Sequence, residues 1–389
     1  MEKLNEKYCL CALNSIFGFS PKTALAIISH LGSAAEAFSL SKKELDTILG
    51  PYSPHKGQIT AKAYDIAAEE LDRLAARNIQ FIGFTERGYP DLLRECEDAP
   101  VGLYVRSRTP AEELFAPERK IAVVGTRDIS PYGKEWCRRI VGGLAECHER
   151  PVIVSGLAIG TDICAHTTAL EYGIPTIAVM ATGTDGIYPY RHREYAERMA
   201  DTPGCGLITD YPPGTAPLAI HFLRRNRIIA GLSESTILVE SRIKGGGMMT
   251  CRLAFSYNRE VYALPGRIDD IRSQGCNNLI HSKIANPIET IDSLISNLGL
   301  RRGIDRRSKE TREVLAEIYR DRLSPEKLTM LMETVSLIRL QRGITIEEIS
   351  AKLGISYGTV AQLTGMLETD GLITIDLMQR CSINVRKSR

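Results

Sequence analysis

The chain has 389 residues, 43% hydrophobic and 25% charged, with 49 Lys and Arg against 47 Asp and Glu for a formal net charge of +2. Those proportions fit an ordinary soluble protein of several domains, and near-neutrality means that any nucleic-acid binding must come from local basic patches. No apolar run approaches the ~20 residues of a membrane span, residues 1–8 are too polar for a secretory signal, and ten scattered cysteines without a CxxC pair read as reduced, packed thiols. A cytoplasmic protein without a membrane partner is expected.

Residues 1–110 read as mainly helical, with a connecting wrap at their end. An apolar segment at 8–16 is followed by Gly18-Phe19-Ser20-Pro21, which opens a second helix through Ile28. Gly18 suits a tight turn, Ser20 an N-cap and Pro21 the first helical position. This is a helix-hairpin-helix, or SAM-like, pattern whose turn N–H groups can hold a DNA phosphate. Only Lys22 adds charge nearby, which favours packing over DNA contact. A short strand is expected at 79–84. The wrap from 87 to 117 carries Pro90, Pro100, Pro110 and Pro117.

From 111 to 300, strand and helix signals alternate. Expected strands at 121–124, 152–154, 176–180, 206–209, 236–239 and 260–263 are spaced by helical patterns such as 136–147, 162–172 and 248–257. That pattern predicts an α/β fold with a doubly wound, Rossmann-like sheet. Ligands of such sheets sit beyond the carboxyl ends of strands. Two glycine-bearing turns fall there, Gly125-Thr126-Arg127 and the 155–160 turn with Ser155, Gly156 and Gly160. A third, Gly245-Gly246-Gly247, follows the 236–239 strand and opens the helix that carries Thr250. Its backbone N–H groups would face an anion, with Lys244 beside them. Phe222, Arg224, Arg225, Asn226 and Arg227 crowd a basic turn just before an apolar Ile228-Ile229-Ala230 run. Arginine forks match phosphate geometry. A solvated helix face is the plain alternative, and the neighbouring glycine turns weigh against it.

The first strand is not followed by G-x-G-x-x-G, and there is no G-x-x-x-x-G-K-[ST], so neither a dinucleotide cofactor nor a P-loop ATPase is expected. No cofactor or metal site is assigned. Asp162 and His166, four residues apart on one helix face, read as an orienting pair near the glycine turn. Asp185 reads as a turn residue.

Past a charged linker, residues 310–389 read as winged-helix-like. Helices are expected at 313–319 and 325–340, Thr345 and Ser356 cap two further helices around a Gly354 turn, and wing strands fall at 371–375 and 382–385. The expected recognition helix, 357–370, has no Lys or Arg and carries Glu368 and Asp370. Base-reading helices present donors, so an interaction role is favoured over sequence-specific reading.

An ordered series runs through the middle region: Val124-Gly125-Thr126-Arg127 with Ser130-x-Tyr132-Gly133, Ser155-Gly156-Leu157-Ala158-x-Gly160-x-Asp162, Ala165-His166, and Asp210-Tyr211-Pro212-Pro213-Gly214. It continues with Arg225-Asn226-Arg227-Ile228-Ile229-Ala230-Gly231-Leu232-Ser233, Leu264-Pro265-Gly266 and Gly275-Cys276-Asn277. This series resembles the DNA-processing protein A (DprA/Smf) family. The resemblance implies an extended Rossmann fold, dimerisation and no catalytic reaction. It further implies a single-stranded-DNA-binding recombination mediator that protects incoming DNA in natural transformation, helps displace single-strand-binding protein and loads RecA recombinase. Carried over by motif, Arg127 and the 155–160 turn would contact phosphates, as would 222–227, with Phe222 stacking on a base. The chain departs from the family pattern at Thr126, Leu223, Gly246 and the Met180-Ala181-Thr182-Gly183 stretch. A competing resemblance, to nucleotide phosphoribohydrolases with a PGGxGTxxE motif, places Leu253 where the glutamate belongs and so lacks a general acid. A ligand-sensing winged-helix transcription regulator is a third reading, opposed by the acidic recognition helix.

Overall fold

Local chemistry sets the first helix boundaries. In the computed structural model, which describes residues 4–302, 315–320, 322–341 and 343–383, Asn5 caps α1 (Glu6–Phe17) by accepting from the Lys7 N–H. Pro21 starts α2 (Pro21–Leu31), and Gly32 ends it in the left-handed conformation. The Ser20 side chain makes no capping bond, so the proline alone fixes that start. The helices α3 (Ala34–Ser39), α4 (Lys42–Leu49) and α5 (Ala61–Ala75) follow. Their apolar faces bury Leu10, Leu13, Phe17, Ile27 and Leu71 together with Phe81 and Tyr104 of the sheet.

Nine strands build that sheet: β1 (Ile79–Gly83), β2 (Gly102–Arg106), β3 (Lys120–Val124), β4 (Val152–Ser155), β5 (Thr176–Val179), β6 (Gly206–Thr209), β7 (Ser235–Leu238), β8 (Glu260–Ala263) and β9 (Asn286–Pro287). Their spatial order is β1-β2-β6-β5-β4-β3-β7-β8-β9. β2 is antiparallel to both neighbours, and from β6 to β9 all pairs are parallel. The six expected strands are all present. The proline-rich wrap is not only a connection: it contains α6 (Asp91–Arg94), β2 and α7 (Ala111–Phe115). The sheet therefore takes in two strands that precede residue 111.

Intervening helices are α8 (Pro131–Ala145), α9 (Thr161–Tyr172), α10 (Arg193–Asp201), α11 (Ala219–Leu232), α12 (Gly246–Ser256), α13 (Gln274–His281) and α14 (Ile291–Asn297). Alternate strand residues feed opposite layers: Ala122, Val124 and Val154 enter one buried cluster, Ile121, Val123 and Ile153 another. That two-sided burial defines a doubly wound sheet. All ten cysteines are buried and unpaired.

The helical block is tied to the sheet by polar bonds. Buried Asn14 on α1 donates to the Asp210 carbonyl (2.8 Å) and accepts from the Gly102 N–H (3.2 Å). The hairpin turn meets α11, where Arg224 donates to the Gly18 carbonyl (2.9 Å) and lies over the Phe19 ring. Packing is thus the observed use of this turn.

Residues after Arg302 form a separate unit. Helices Pro325–Leu340, Ile346–Leu353 and Tyr357–Thr369 accompany a three-stranded sheet in which Arg380–Ile383 lies between Ile344–Thr345 and Ile373–Ile375. Thr345 forms a capping box with Glu348, Gly354 is left-handed at the turn, and Ser356 accepts from the Thr359 N–H. Residues 313, 314, 384 and 385 of the expected elements lie outside the described residues. Both acids of the recognition helix serve the fold: Glu368 accepts from the Ile375 N–H and Asp370 from the Tyr319 hydroxyl. Among the described residues, no helix is long and apolar enough to cross a membrane.

Candidate nucleic-acid interface

Chain order reverses between β3, which leads to β4, β5 and β6 on one side, and β7, which leads to β8 and β9 on the other. At such a switch point the carboxyl-end loops diverge and leave a crevice. A cleft of about 350 Å³ lies there, lined by Gly125, Thr126, Arg127, Phe222, Arg225, Asn226, Lys244, Gly246 and Thr250. Nine of the residues expected from sequence therefore converge. The lining also includes Gly247 of the third glycine turn, together with Asp162, Ser241 and Arg242, which the sequence did not mark as contacts. A larger hollow of about 990 Å³ runs along edge strand β1, but Lys7, Arg77, Arg106 and Arg108 there are balanced by Asp72, Glu86, Glu112 and Asp201. It has no sign preference and holds none of the expected residues.

The turns after β3 and β4 interlock. Gly160 has φ 84° and ψ −121°, a conformation close to glycine-only. A Cβ there would stand 2.3 Å from the Thr126 carbonyl oxygen. The next residue, Thr161, donates its N–H to that same oxygen at 3.1 Å. This contact sets the Thr126-Arg127 turn, leaving the Arg127 side chain exposed. On the opposite wall, Gly245 begins α12 without any side-chain cap. The first N–H groups of that helix and its positive dipole end are thus offered to the cleft. Arg127, Arg242 and Lys244 have no ion-pair partner among the described residues. Half-buried Phe222 carries Arg127 over its ring at 5.2 Å and meets Tyr188 edge-on at 5.4 Å.

The arginine run divides. Arg225 points inward, donating to the Val179 carbonyl and packing so close to Gly156 that a Cβ there would lie 2.1 Å from Nη1. Burial pulls its guanidinium down to about 10, opposed by the Asp162 charge, so it stays protonated at neutral pH. Burial likewise raises the Asp162 carboxyl, opposed by Arg225 and by the Ala158 N–H. Arg227 is buried on the far side of α11, paired with Asp210 at 2.6 Å and donating to the Asp98 carbonyl. With Arg224 at the hairpin turn, neither Arg224 nor Arg227 lines the cleft. Ser155, Gly156 and Gly160 also stand behind it: buried Ser155 donates to the Val123 carbonyl at 2.6 Å. None of these five expected residues lines the cleft, and Arg224, Arg227 and Ser155 spend their donors on carbonyls within the protein.

The expected Asp162–His166 pair does not form. His166 shares a 2.7 Å hydrogen bond with Thr176, and burial first, then the Arg225 charge, pushes its imidazole down to about 3. Unfolded histidine titrates near 6.5, so acid protonates the unfolded chain before the folded one. Stability contributed above ~6.5 should be lost as pH falls toward about 3. Urea unfolding between roughly pH 7.5 and 5 should show a larger loss for wild type than for His166→Gln. Equal losses would mean that this imidazole does not set the acid limb. Asp185 accepts from the Gly214 N–H, as a turn residue would.

Residues 80–299 match the model of the family described as DNA recombination-mediator protein A. The chain belongs to that family. Residues 335–374 match a winged helix-turn-helix DNA-binding family. Protein Smf of Synechocystis sp. is 37% identical over 230 residues, 59% of this chain and 56% of that protein. Against that protein and two further curated relatives, the matched stretch is 54–65% of their own length. DNA processing protein A of Streptococcus pneumoniae superposes with a TM-score of 0.60 at 29% identity, covering 75% of this chain and 93% of that one. The same protein from Helicobacter pylori, described for its single-stranded DNA binding mode, gives 0.50 at 30% identity over 57% of this chain and 95% of that one. The family match begins inside β1, which agrees with β1 and β2 being part of the sheet.

Proposed function

We propose that the switch-point cleft binds the phosphate backbone of single-stranded DNA, and that the protein mediates recombination without catalysing a reaction. In this reading it protects incoming strands in the cytoplasm during natural transformation, helps remove single-strand-binding protein and loads RecA recombinase, acting as a homodimer. The observation that carries the reading is the set of exposed cations Arg127, Arg242 and Lys244 around the uncapped glycine start of α12, with Phe222 alongside. Phosphates meet cations and N–H groups, while a base can reach the ring only if it is not already paired in a duplex. The nucleotide-hydrolase alternative is disfavoured because Leu253, which stands in its glutamate position, carries no carboxyl and packs against the core.

Binding to single-stranded and duplex oligonucleotides of equal length, at several salt concentrations, tests the proposal. Single strands should bind more tightly. Arg127→Ala and Lys244→Ala should each reduce the salt slope by about one unit through the loss of one phosphate contact. Equal or tighter duplex binding would overturn it.

A further inference from the structure

We propose that bases of the bound strand continue out of the cleft along an aromatic track of Phe222, Tyr188 and Tyr190, making the loop after β5 part of the interface. The inference rests on the single-strand reading of the cleft and extends it to residues outside the lining. The loop after β5 leaves the same carboxyl edge as the glycine turns. Because β7, β3, β4 and β5 are successive neighbours, the end of β5 lies three strand spacings, about 14 Å, from the end of β7 that leads to Lys244. That distance asks for several nucleotides.

The rings are placed for it. Tyr188 is 48% exposed although it forms an edge-to-face pair with Phe222, and Tyr190, two residues on, is 72% exposed. Arg127 lies over the Phe222 ring and Arg193 over the Tyr190 ring at 5.8 Å, and the ring surface still exposed at Tyr188 and Tyr190 is where a base, which always has a π-face, would lie. The loop is braced rather than loose. His192 is bonded to the Leu157 carbonyl at 2.8 Å, joining the loop to the 155–160 turn. Arg193 braces Tyr190, its Nη1 donating to the Tyr190 hydroxyl at 3.3 Å while its Nε pairs with Glu197 at 2.6 Å. Arg193 is therefore spent as a support. Arg191 between them is exposed and has no ion-pair partner among the described residues, leaving one cation free for a phosphate. Rings for bases alternating with a free cation form the pattern of a sequence-tolerant single-strand platform.

The full chain is tested as wild type, Tyr188→Ala, Tyr188→Phe and Tyr190→Ala, with an oligothymidylate carrying one 2-aminopurine. Tyr188→Ala and Tyr190→Ala should each weaken binding roughly tenfold and reduce the fluorescence quenching of the probe, as expected for losing a stacked base. The salt slope should stay at the wild-type value because no phosphate contact is lost. Tyr188→Phe should restore both affinity and quenching. Binding of both alanine variants within about twofold of wild type, with full quenching, would remove the track. If Arg127→Ala and Lys244→Ala still lose salt slope in that event, the cleft reading survives and only the track fails. If wild type shows no preference for single strands, the cleft reading itself fails. Tyr190 is exposed enough that its variant should fold even if Tyr188→Ala does not.

Discussion

Arg227→Ala is expected to lower the free energy of unfolding by about 3–5 kcal/mol, the largest stability loss of any single change to the arginine run. The Arg227 and Asp210 side chains are only 7% and 6% exposed, and their 2.6 Å contact lies on the side of α11 away from the cleft. Removing the guanidinium strands a carboxylate in the interior, where one oxygen already has no hydrogen-bond partner among the described residues. It also takes a donor from the Asp98 carbonyl. Replacing the pair together, as Arg227→Met with Asp210→Leu, should recover much of the loss, because no lone charge remains. Urea denaturation with tryptophan or circular-dichroism detection measures both. A stable Arg227→Ala protein that has lost DNA binding would show instead that this side chain reaches ligand.

Gly160→Ala should damage affinity at least as much as Arg127→Ala while also costing stability. The backbone at Gly160 is one that an L-residue reaches only with strain of about 1–3 kcal/mol. Its new methyl would also meet fixed atoms, the Thr126 carbonyl oxygen at 2.3 Å and the Arg127 carbonyl at 2.7 Å, with no flexible side chain to move aside. The Thr126-Arg127 turn must shift, breaking its bond from the Thr161 N–H and carrying Arg127 off the wall of the cleft. Affinity, salt slope and melting temperature should all fall. Wild-type affinity in a folded Gly160→Ala protein would separate Arg127 placement from binding.

The parallel strands and their glycine turns were legible because their signals are local: short β-branched runs, each ending in a turn that needs glycine. The caps at Thr345 and Ser356 were legible for the same reason. β2 was not, since Pro100 and Pro110 frame it and masked a five-residue strand. The division of the arginine run was not legible, for a geometric reason. At 100° per residue, Arg224 and Arg227 leave α11 about 60° apart, while Arg225 leaves it on another side. Which side meets the cleft is decided by Gly18, Asp98, Val179 and Asp210, partners remote in sequence. Tyr188 and Tyr190 gave a usable sign, two aromatics beside Arg191 and Arg193, but nothing local placed Tyr188 next to Phe222.

The seat of β2 between β1 and β6 also limits how this architecture can be cut or recombined. A chain begun after residue 110 would keep every glycine turn of the cleft yet expose β6 as a raw edge, with Leu207, Ile208 and Thr209 losing their ladder partners Arg106, Val105 and Tyr104. Such an edge is a template for pairing with other chains and hence for aggregation. The leading helices and strands therefore act as a built-in cover: a gene fusion that swapped them for another module would have to supply a replacement strand as well as a new domain.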